Sequence, residues 1–589
     1  MKTRIESLIR QALSTLQSEG VLAADITPLI QIERCRDPAH GDWASNVAMT
    51  YAKSCAMRPR ELAERLLAAL PADAAISAVE IAGPGFINFR VDESAARQGL
   101  LRILAEGERY GHGQVGQGQT LQIEFVSANP TSSLHVGHGR GAAYGMTVAN
   151  MLAAQGYTVH REYYVNDAGR QMNILATSTY LRYLELCGEI FDFPSNGYRG
   201  DYVRDMARQL QEREGDRMRH ASAELFTAIP EDERKNAEGE VLGGDKEAHI
   251  DALIERSQQL LGQDDYRLFF EHALNTILDD IRDDLAEFGV HYDRWYSERS
   301  LVDSGALKRA LDQLRAAGAT YEKAGALWFR STDYGDDKDR VLVRDNGQST
   351  YFASDVAYHL DKFERGVDRV IDIWGADHHG YIARVKAALK ALRIDPQRLE
   401  VRLVQFVTLW RGDEQVQMSS RSGQFITLRE LRQEVGNDAA RFYYIMRKSE
   451  QHIDFDLALA TSQSKDNPLY YIQYAHARIC SVFARLDSEA PVDLQAADLR
   501  LLGAAEDVLI RRLLAFPEVL ARASAEREPH QLAHELRDLA SEFHAWYNTT
   551  KVLVEDHALR DARLLLCAGT AQVLRNGLLL LGVQAPTQM

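Results

Sequence analysis

Leu121-Gln122-Ile123-Glu124-Phe125-Val126, followed by Ser127-Ala128-Asn129-Pro130-Thr131-Ser132-Ser133 and, after Leu134, by His135-Val136-Gly137-His138, is the stretch whose reading decides the fold of this chain. Its first six residues form a β-type run, the next seven are turn-rich, and a small-residue helix opens at Gly139 and runs to Met151. Strand, loop and helix N-terminus in that order form the crevice of a doubly wound parallel sheet, where free backbone N–H groups and the helix dipole receive phosphate. His135 and His138 are one helical turn apart and can face one phosphate, while Gly137 lets a flat base lie against bare backbone. Nucleotide chemistry is the first expectation. The bland alternative is a helix start capped by a histidine.

Outward from this stretch, strands and helices alternate, as a parallel nucleotide-binding sheet requires, with a strand at 159–165. Charged, helix-rich sequence from about 188 to 321 predicts an insertion that splits the sheet, which resumes with Ala326–Phe329, Arg340–Val343 and Arg369–Trp374. Another strand is expected at Val404–Val407. Upstream, residues 1–112 predict a small α+β domain with a strand at Val79–Ile81, a turn at Gly83-Pro84-Gly85 and a strand at Phe86–Val91. The catalytic domain is expected over 119–459, and helical periodicity over 460–589 predicts a terminal bundle. The fold class is therefore α/β: a Rossmann-like doubly wound parallel sheet with a helical insertion, an N-terminal α+β domain and a C-terminal all-α bundle.

The 589 residues are 45% apolar and 26% charged, ordinary for a globular protein of several domains. A formal charge of −17 excludes a general basic coat for nucleic acid, so any RNA contact has to be local. The five cysteines lack CxxC or CxxH spacing, which excludes a disulfide framework and a structural zinc site. The amphipathic N-terminus is interrupted by Arg4, Glu6 and Arg10, unlike a signal peptide, and apolar runs such as Leu578–Leu581 fall far short of the roughly 20 residues that span a bilayer. A cytoplasmic protein with no membrane partner is expected.

His135-Val136-Gly137-His138 resembles the HIGH signature of class I aminoacyl-tRNA synthetases. Its flanks, Ser127–Thr131 and Tyr164-Val165-Asn166-Asp167-Ala168-Gly169, are similar to the arginyl-tRNA synthetase family. That resemblance implies L-arginine, ATP with Mg²⁺ and tRNA(Arg) as substrates, an arginyl-adenylate intermediate, no tightly bound cofactor, no protein metal site and a monomer. It also implies that tRNA must be bound before arginine is activated. His135, Gly137 and His138 would act on ATP together with Asn129, Pro130 and Thr131. Gln417-Met418-Ser419-Ser420-Arg421-Ser422-Gly423 is similar to the family's mobile KMSKS loop, with Met418 at ATP and Ser419, Ser420 and Arg421 catalytic. Both lysines of that motif are replaced, by Gln417 and Ser420, and no lysine lies in Pro130–Leu134 to compensate, so Arg421 or Mg²⁺ is left to neutralise the triphosphate.

A guanidinium calls for carboxylates and coplanar acceptors. Tyr351 and Asp355, four apart on a predicted helix, resemble the family's arginine pocket, as do Glu124, Ser127 and Asn129. Asp355 would hold the guanidinium with Tyr351 packed on it, and Glu124 and Asn129 would position the α-amino end. Asp377 would accept from ribose hydroxyls and His378 would line the pocket; adjacent His378 and His379 point apart, which disfavours a metal. The resemblance further implies tRNA contacts at Phe86 and Asn88 on one strand face, and at Tyr470, Tyr474, Trp546 and Met589 in the bundle. Helical spacing makes part of the tyrosine cluster core. Two other readings stay open: an enzyme that activates a different amino acid or small acid, and a tRNA-binding paralogue without catalysis.

Overall fold

A computed structural model of the chain describes residues 1–35, 37–236, 238–416, 426–486 and 492–589. The N-terminal domain comprises α1 (Lys2–Ser18), β1 (Ile32–Arg34), β2 (Trp43–Ser45), α2 (Val47–Tyr51), α3 (Pro59–Ala69), β3 (Ile76–Ala82) and β4 (Phe86–Val91). Its sheet is antiparallel in the order β1-β2-β4-β3 and closes over Ile9, Leu13, Trp43, Leu62 and Phe89. The short strands β1 and β2 carry no alternation long enough to be read from sequence. The helix α4 (Glu93–Glu106) leaves this domain and packs on the C-terminal bundle.

The central layer holds β5 (Thr120–Glu124), α5 (Val136–Ala154), β6 (Thr158–Val165) and α6 (Arg170–Leu186). The insertion follows with α7 (Asp201–Glu214), α8 (Ser222–Leu225), β7 (Arg234–Lys235), β8 (Val241–Gly243) and α9 (Lys246–Glu287), which is broken at Gly262 by a φ of 70°. Its own core joins Tyr180, Tyr183, Leu210, Ile250 and Phe269. Next come β9 (Arg294–Ser297), α10 (Arg299–Asp303), α11 (Ala306–Ala316), β10 (Thr320–Lys323), β11 (Ala326–Phe329), β12 (Arg340–Val343), α12 (Tyr351–Glu364), β13 (Arg369–Gly375), α13 (Ile382–Ala391) and β14 (Leu399–Val404). The main sheet is wholly parallel in the order β14-β13-β5-β6-β9. Strand order reverses between β13 and β5, and ligands collect at the carboxyl ends of strands at such a switch point.

Three expectations are corrected. The parallel sheet resumes at β9, so the insertion lies between α6 and β9 instead of reaching residue 321. β11 and β12 form a separate antiparallel sheet with β10 because Ala324 and Gly325, both with positive φ (51° and 77°), make a two-residue hairpin, and a parallel partner would need a long crossover. Val404–Val407 is not one strand: the buried Arg140 takes the carbonyls of Gln405 (2.8 Å) and Phe406 (3.5 Å) out of the ladder. The chain restarts as β15 (Val407–Arg411), which pairs with β16 (Glu414–Gln415) and, beyond α14 (Leu428–Val435) and α15 (Asn437–Ile445), with β17 (Ile453–Asp456).

After α16 (Leu457–Thr461), the bundle consists of α17 (Pro468–Ala484), α18 (Ala504–Glu526), α19 (Pro529–Thr549) and α20 (His557–Leu580). The helix α5 is buried on nearly all sides, as a helix without a polar face must be, with the sheet on one flank and the bundle on the other. A Cβ at Gly145 would lie 2.3 Å from the Phe125 ring, so the small residues of α5 permit its close approach to β5. Toward the bundle, Tyr144 donates to the Arg527 carbonyl (2.8 Å) and Asn150 to that of Leu580 (3.2 Å). Among the described residues no helix is long and apolar enough to cross a membrane.

Candidate active site

His135 is the N-cap of α5, at the helix end that follows the loop from the carboxyl end of β5. Its Nδ1 accepts from the Gly137 N–H (3.1 Å), and the His138 Nδ1 accepts from the His135 N–H (3.3 Å). Each Nδ1 is thereby an acceptor, which assigns the ring proton to Nε2 in both neutral imidazoles. The rings stack at 3.7 Å and 22°. Burial lowers the pKa of His135 and drives that of His138 down to about 3, so both rings are neutral donors at physiological pH. Gly137 is required by this stack, because a Cβ there would lie 2.9 Å from the His135 Cε1 and 3.0 Å from its Nδ1.

The loop between β5 and α5 is strained at its start. Val126 and Ser127 take positive φ values of 70° and 42°, costly for a β-branched residue and the kind of outlier that collects at functional sites. The strain turns the Ser127 hydroxyl onto Glu124 Oε1 (2.8 Å), where it also accepts from the Tyr164 N–H (3.1 Å). Asn129 is exposed at the crevice and is oriented by Gln171 (2.9 Å) and Asn166 (3.1 Å). Pro130 and Thr131, expected at ATP, are buried; the Thr131 carbonyl is held by the Tyr202 hydroxyl at 2.7 Å, so these two shape the loop from behind.

Tyr351 and Asp355 lie on α12 as the spacing predicts. Tyr351 is 55% exposed, and its hydroxyl reaches toward Gly169, where an added Cβ would meet it at 3.6 Å. Asp355 accepts a very short hydrogen bond from Tyr381. Burial raises the Asp355 pKa and the Glu124 charge adds to the rise, while Tyr381, His359 and Lys362 oppose it. Sequence reasoning missed Glu298, directly after β9. Only 7% exposed, it has a buried Oε2 with no hydrogen-bond partner among the described residues. Its pKa is raised to about 7, first by burial and then by the Asp355 charge, against which the Ser354 and Tyr164 hydroxyls act. Its signal was its place at the carboxyl end of a sheet strand, legible only once β9 is assigned to that sheet. Asp377 and His378 sit on the exposed rim and pair with each other at 3.2 Å.

Met418, Ser419, Ser420 and Arg421 lie outside the described residues. The segment that follows them is anchored on the histidine motif: the Val136 N–H donates to the Ile426 carbonyl (3.2 Å) and the Leu428 N–H to that of Leu134 (2.8 Å). Thr427 pairs with His135 in a β-bridge and caps α14 in a capping box with Glu430. Residues 426–428, directly after the second motif in sequence, are thus held against the first.

Away from the crevice, Phe86 (40% exposed) and Asn88 (8%) line one cavity of about 620 Å³ in the N-terminal domain, together with Arg34 and His40. In the bundle the Tyr470 and Tyr474 rings stack at 6.0 Å, Tyr474 is 36% exposed, and Arg478 lies over Tyr474 and Tyr547. Trp546, expected on this surface, is 6% exposed and packs against Phe543, because α19 turns that face into the core. Met589, the last residue, is 54% exposed.

Family models match along the chain: the arginyl tRNA synthetase N terminal domain over 3–91, the tRNA synthetases class I (R) catalytic domain over 99–185 and 209–457, and the DALR anticodon binding domain over 472–589. The arginine–tRNA ligase of Thioalkalivibrio sulfidiphilus is 57% identical over 593 residues and that of Acinetobacter baylyi 57% over 599, each covering all of both chains. Thermus thermophilus arginyl-tRNA synthetase has the same fold, with a TM-score of 0.73 at 23% identity over 99% of this chain and 100% of that one. The Plasmodium falciparum arginyl-tRNA synthetase gives 0.70 at 14% over 100% and 99%. With catalytic crevice, split sheet and both flanking domains accounted for, the chain belongs to the arginyl-tRNA synthetase family.

Proposed function

We propose that the protein attaches L-arginine to tRNA(Arg) at the expense of ATP. The observation that carries the choice of amino acid is the pair of carboxylates, the half-buried Asp355 and the buried Glu298, the latter with an oxygen that has no hydrogen-bond partner among the described residues. An unpaired buried acceptor is costly, and a planar cation with five N–H donors satisfies two such groups together. Arginine's guanidinium enters between them, Tyr351 covers it, and Glu124, Ser127 and Asn129 hold the α-amino end. Glu124 oxygens already accept from Ser127 and Lys362, and each keeps a second lone pair for the substrate.

With the amino acid so placed, a carboxylate oxygen of arginine attacks the α-phosphorus of ATP, the bond to the bridging oxygen breaks, and pyrophosphate leaves. The neutral His135 and His138 donate from Nε2 to the phosphate oxygens as charge gathers there, and the N-terminus of α5 adds its N–H groups. A hydroxyl of the terminal ribose of tRNA then attacks the arginyl carbonyl, and AMP leaves. No side chain forms a covalent intermediate; positioning and charge stabilisation do the work. Magnesium would enter with the ATP substrate and supply positive charge to the phosphates.

The Phe86–Asn88 cavity offers an exposed ring and a buried amide to an unstacked base, and Tyr470, Tyr474 and the C-terminal Met589 offer further contacts in the bundle. Aminoacylation of total tRNA with arginine, set against lysine, cysteine and glutamate, tests the reading. Equal activation of another amino acid would remove the role given to Glu298 and Asp355. An inactive wild-type protein that still binds tRNA would leave only the non-catalytic alternative.

A further inference from the structure

Beneath the crevice, where β5 and β13 part, lies a buried polar network of which the chemistry above uses only Glu124 and Asp355. The Lys362 side chain on α12 has no exposed area, and its ammonium donates to Glu124 Oε2 at 2.5 Å and to Asp372 Oδ1 at 2.7 Å. Glu124 and Asp372 are register partners on β5 and β13. His359, one turn back on α12, spans the Asp355 carbonyl (Nδ1, 2.7 Å) and Asp372 Oδ2 (Nε2, 2.8 Å). On β6, Glu162 is held by Arg365 (2.5 and 2.9 Å) and by the Tyr358 hydroxyl (2.7 Å). Asp355, Tyr358, His359 and Lys362 thus form a polar stripe at helical spacing on the face where a helix ordinarily turns apolar residues to a sheet.

Stability alone does not explain the arrangement, because a buried ion pair is often no better than well-packed apolar side chains of the same volume. The network does, however, end at both poles of the amino-acid pocket: at the Glu124 carboxylate, and at the backbone of Asp355. Burial alone would raise the Asp372 pKa, yet the Lys362 charge and His359 hold it down at about 2, so the anchor stays ionised.

We propose that Lys362 is a positioning residue that sets the length of substrate the pocket accepts, fixing Glu124 directly and Asp355 through Asp372 and His359. Arginine presents a cation at each end of an extended chain, and one rigid network that spans both acidic poles holds their separation to that chain length. The inference rests on the reading of Glu124 and Asp355 as arginine ligands. One methylene is ordinarily worth about 10- to 200-fold in discrimination, which homoarginine measures against arginine.

The test compares kcat and KM for arginine, homoarginine, ATP and tRNA in wild-type protein and in Lys362→Met. Expected are an arginine KM raised at least tenfold, a preference over homoarginine reduced at least tenfold, and kcat and the KM for ATP and tRNA within about threefold of wild type. A folding defect would lower active protein without moving the arginine-to-homoarginine ratio. If Lys362→Met does not fold, two variants are read the same way: Lys362→Met with Asp372→Asn, which removes one charge of each sign, and His359→Gln, which breaks the imidazole link between Asp372 and Asp355 and leaves Lys362 on Glu124. Folded variants with a wild-type arginine KM and ratio overturn the proposal. Asp355→Asn separates the two levels: if it leaves the arginine KM unchanged, the reading of the site fails, whereas a large rise there beside no effect at Lys362 sinks the positioning role alone.

Discussion

The charge of Asp355 on α12 helps to lift the pKa of the buried Glu298 carboxyl, at the end of β9, to about 7. Two acids contributed by elements nearly 60 residues apart therefore lie close enough for one charge to raise the other's pKa.

Arginine binding should expel a proton from Glu298. A guanidinium beside Glu298 favours the ionised form, so the complex lowers its pKa and protons are released between about pH 6 and 8. Calorimetry of arginine binding in buffers of different ionisation enthalpy measures the release directly. Below pH 7 the Glu298 group is neutral before binding, and the dissociation constant should rise by up to about tenfold per pH unit. In Glu298→Gln both the release and this slope should vanish.

The same residue burdens the empty fold. Its folded-state pKa lies above the ordinary 4.5, so the cost is absent at about pH 4.5, grows as pH rises and is complete above pH 7. Glu298→Gln should make the substrate-free protein more stable by up to about 3 kcal/mol at pH 8 and leave it nearly unchanged near pH 4.5. Thermal melts at the two pH values would show it; a destabilised variant at pH 8 would refute the assignment.

Gly137→Ala should separate catalysis from stability. Alanine is the better helix former by up to about 1 kcal/mol, but its methyl group occupies the place of the His135 ring. We expect an ATP–pyrophosphate exchange rate lower by about 100-fold, as for a catalytic group displaced by an ångström, with a melting temperature at or above wild type.

The two RNA-facing expectations in the bundle should diverge. Tyr474→Ala removes a partly exposed ring and should raise the KM for tRNA, by roughly 5- to 150-fold if a base stacks on it, with arginine and ATP parameters unchanged. Trp546→Ala opens the core beside Phe543 and should instead cost about 3–5 kcal/mol of stability. A tRNA defect in a stable Trp546→Ala protein would return Trp546 to the interface.

What sequence made legible follows from where short-range rules apply. The histidine motif, its strand and the Tyr351–Asp355 spacing are local patterns, and each kept its predicted geometry. The placement of β9, the hairpin of β10 and β11, and the break at Gln405–Phe406 depend on distant partners, such as Arg140 reaching those two carbonyls, and periodicity carries no record of them. Glu298 escaped notice for the same reason: its chemistry comes from burial beside Asp355, a neighbour that only the folded sheet supplies. Trp546 shows the converse, a residue read as contact that its helix turns inward.

The helix that begins at the capping histidine has 19 residues, so it is a rigid rod of roughly 28 Å with one tip at the histidine motif and its shaft bolted to the bundle through Tyr144 and Asn150. Any displacement of α18 or α20 would therefore carry the histidine-capped tip with it in one piece.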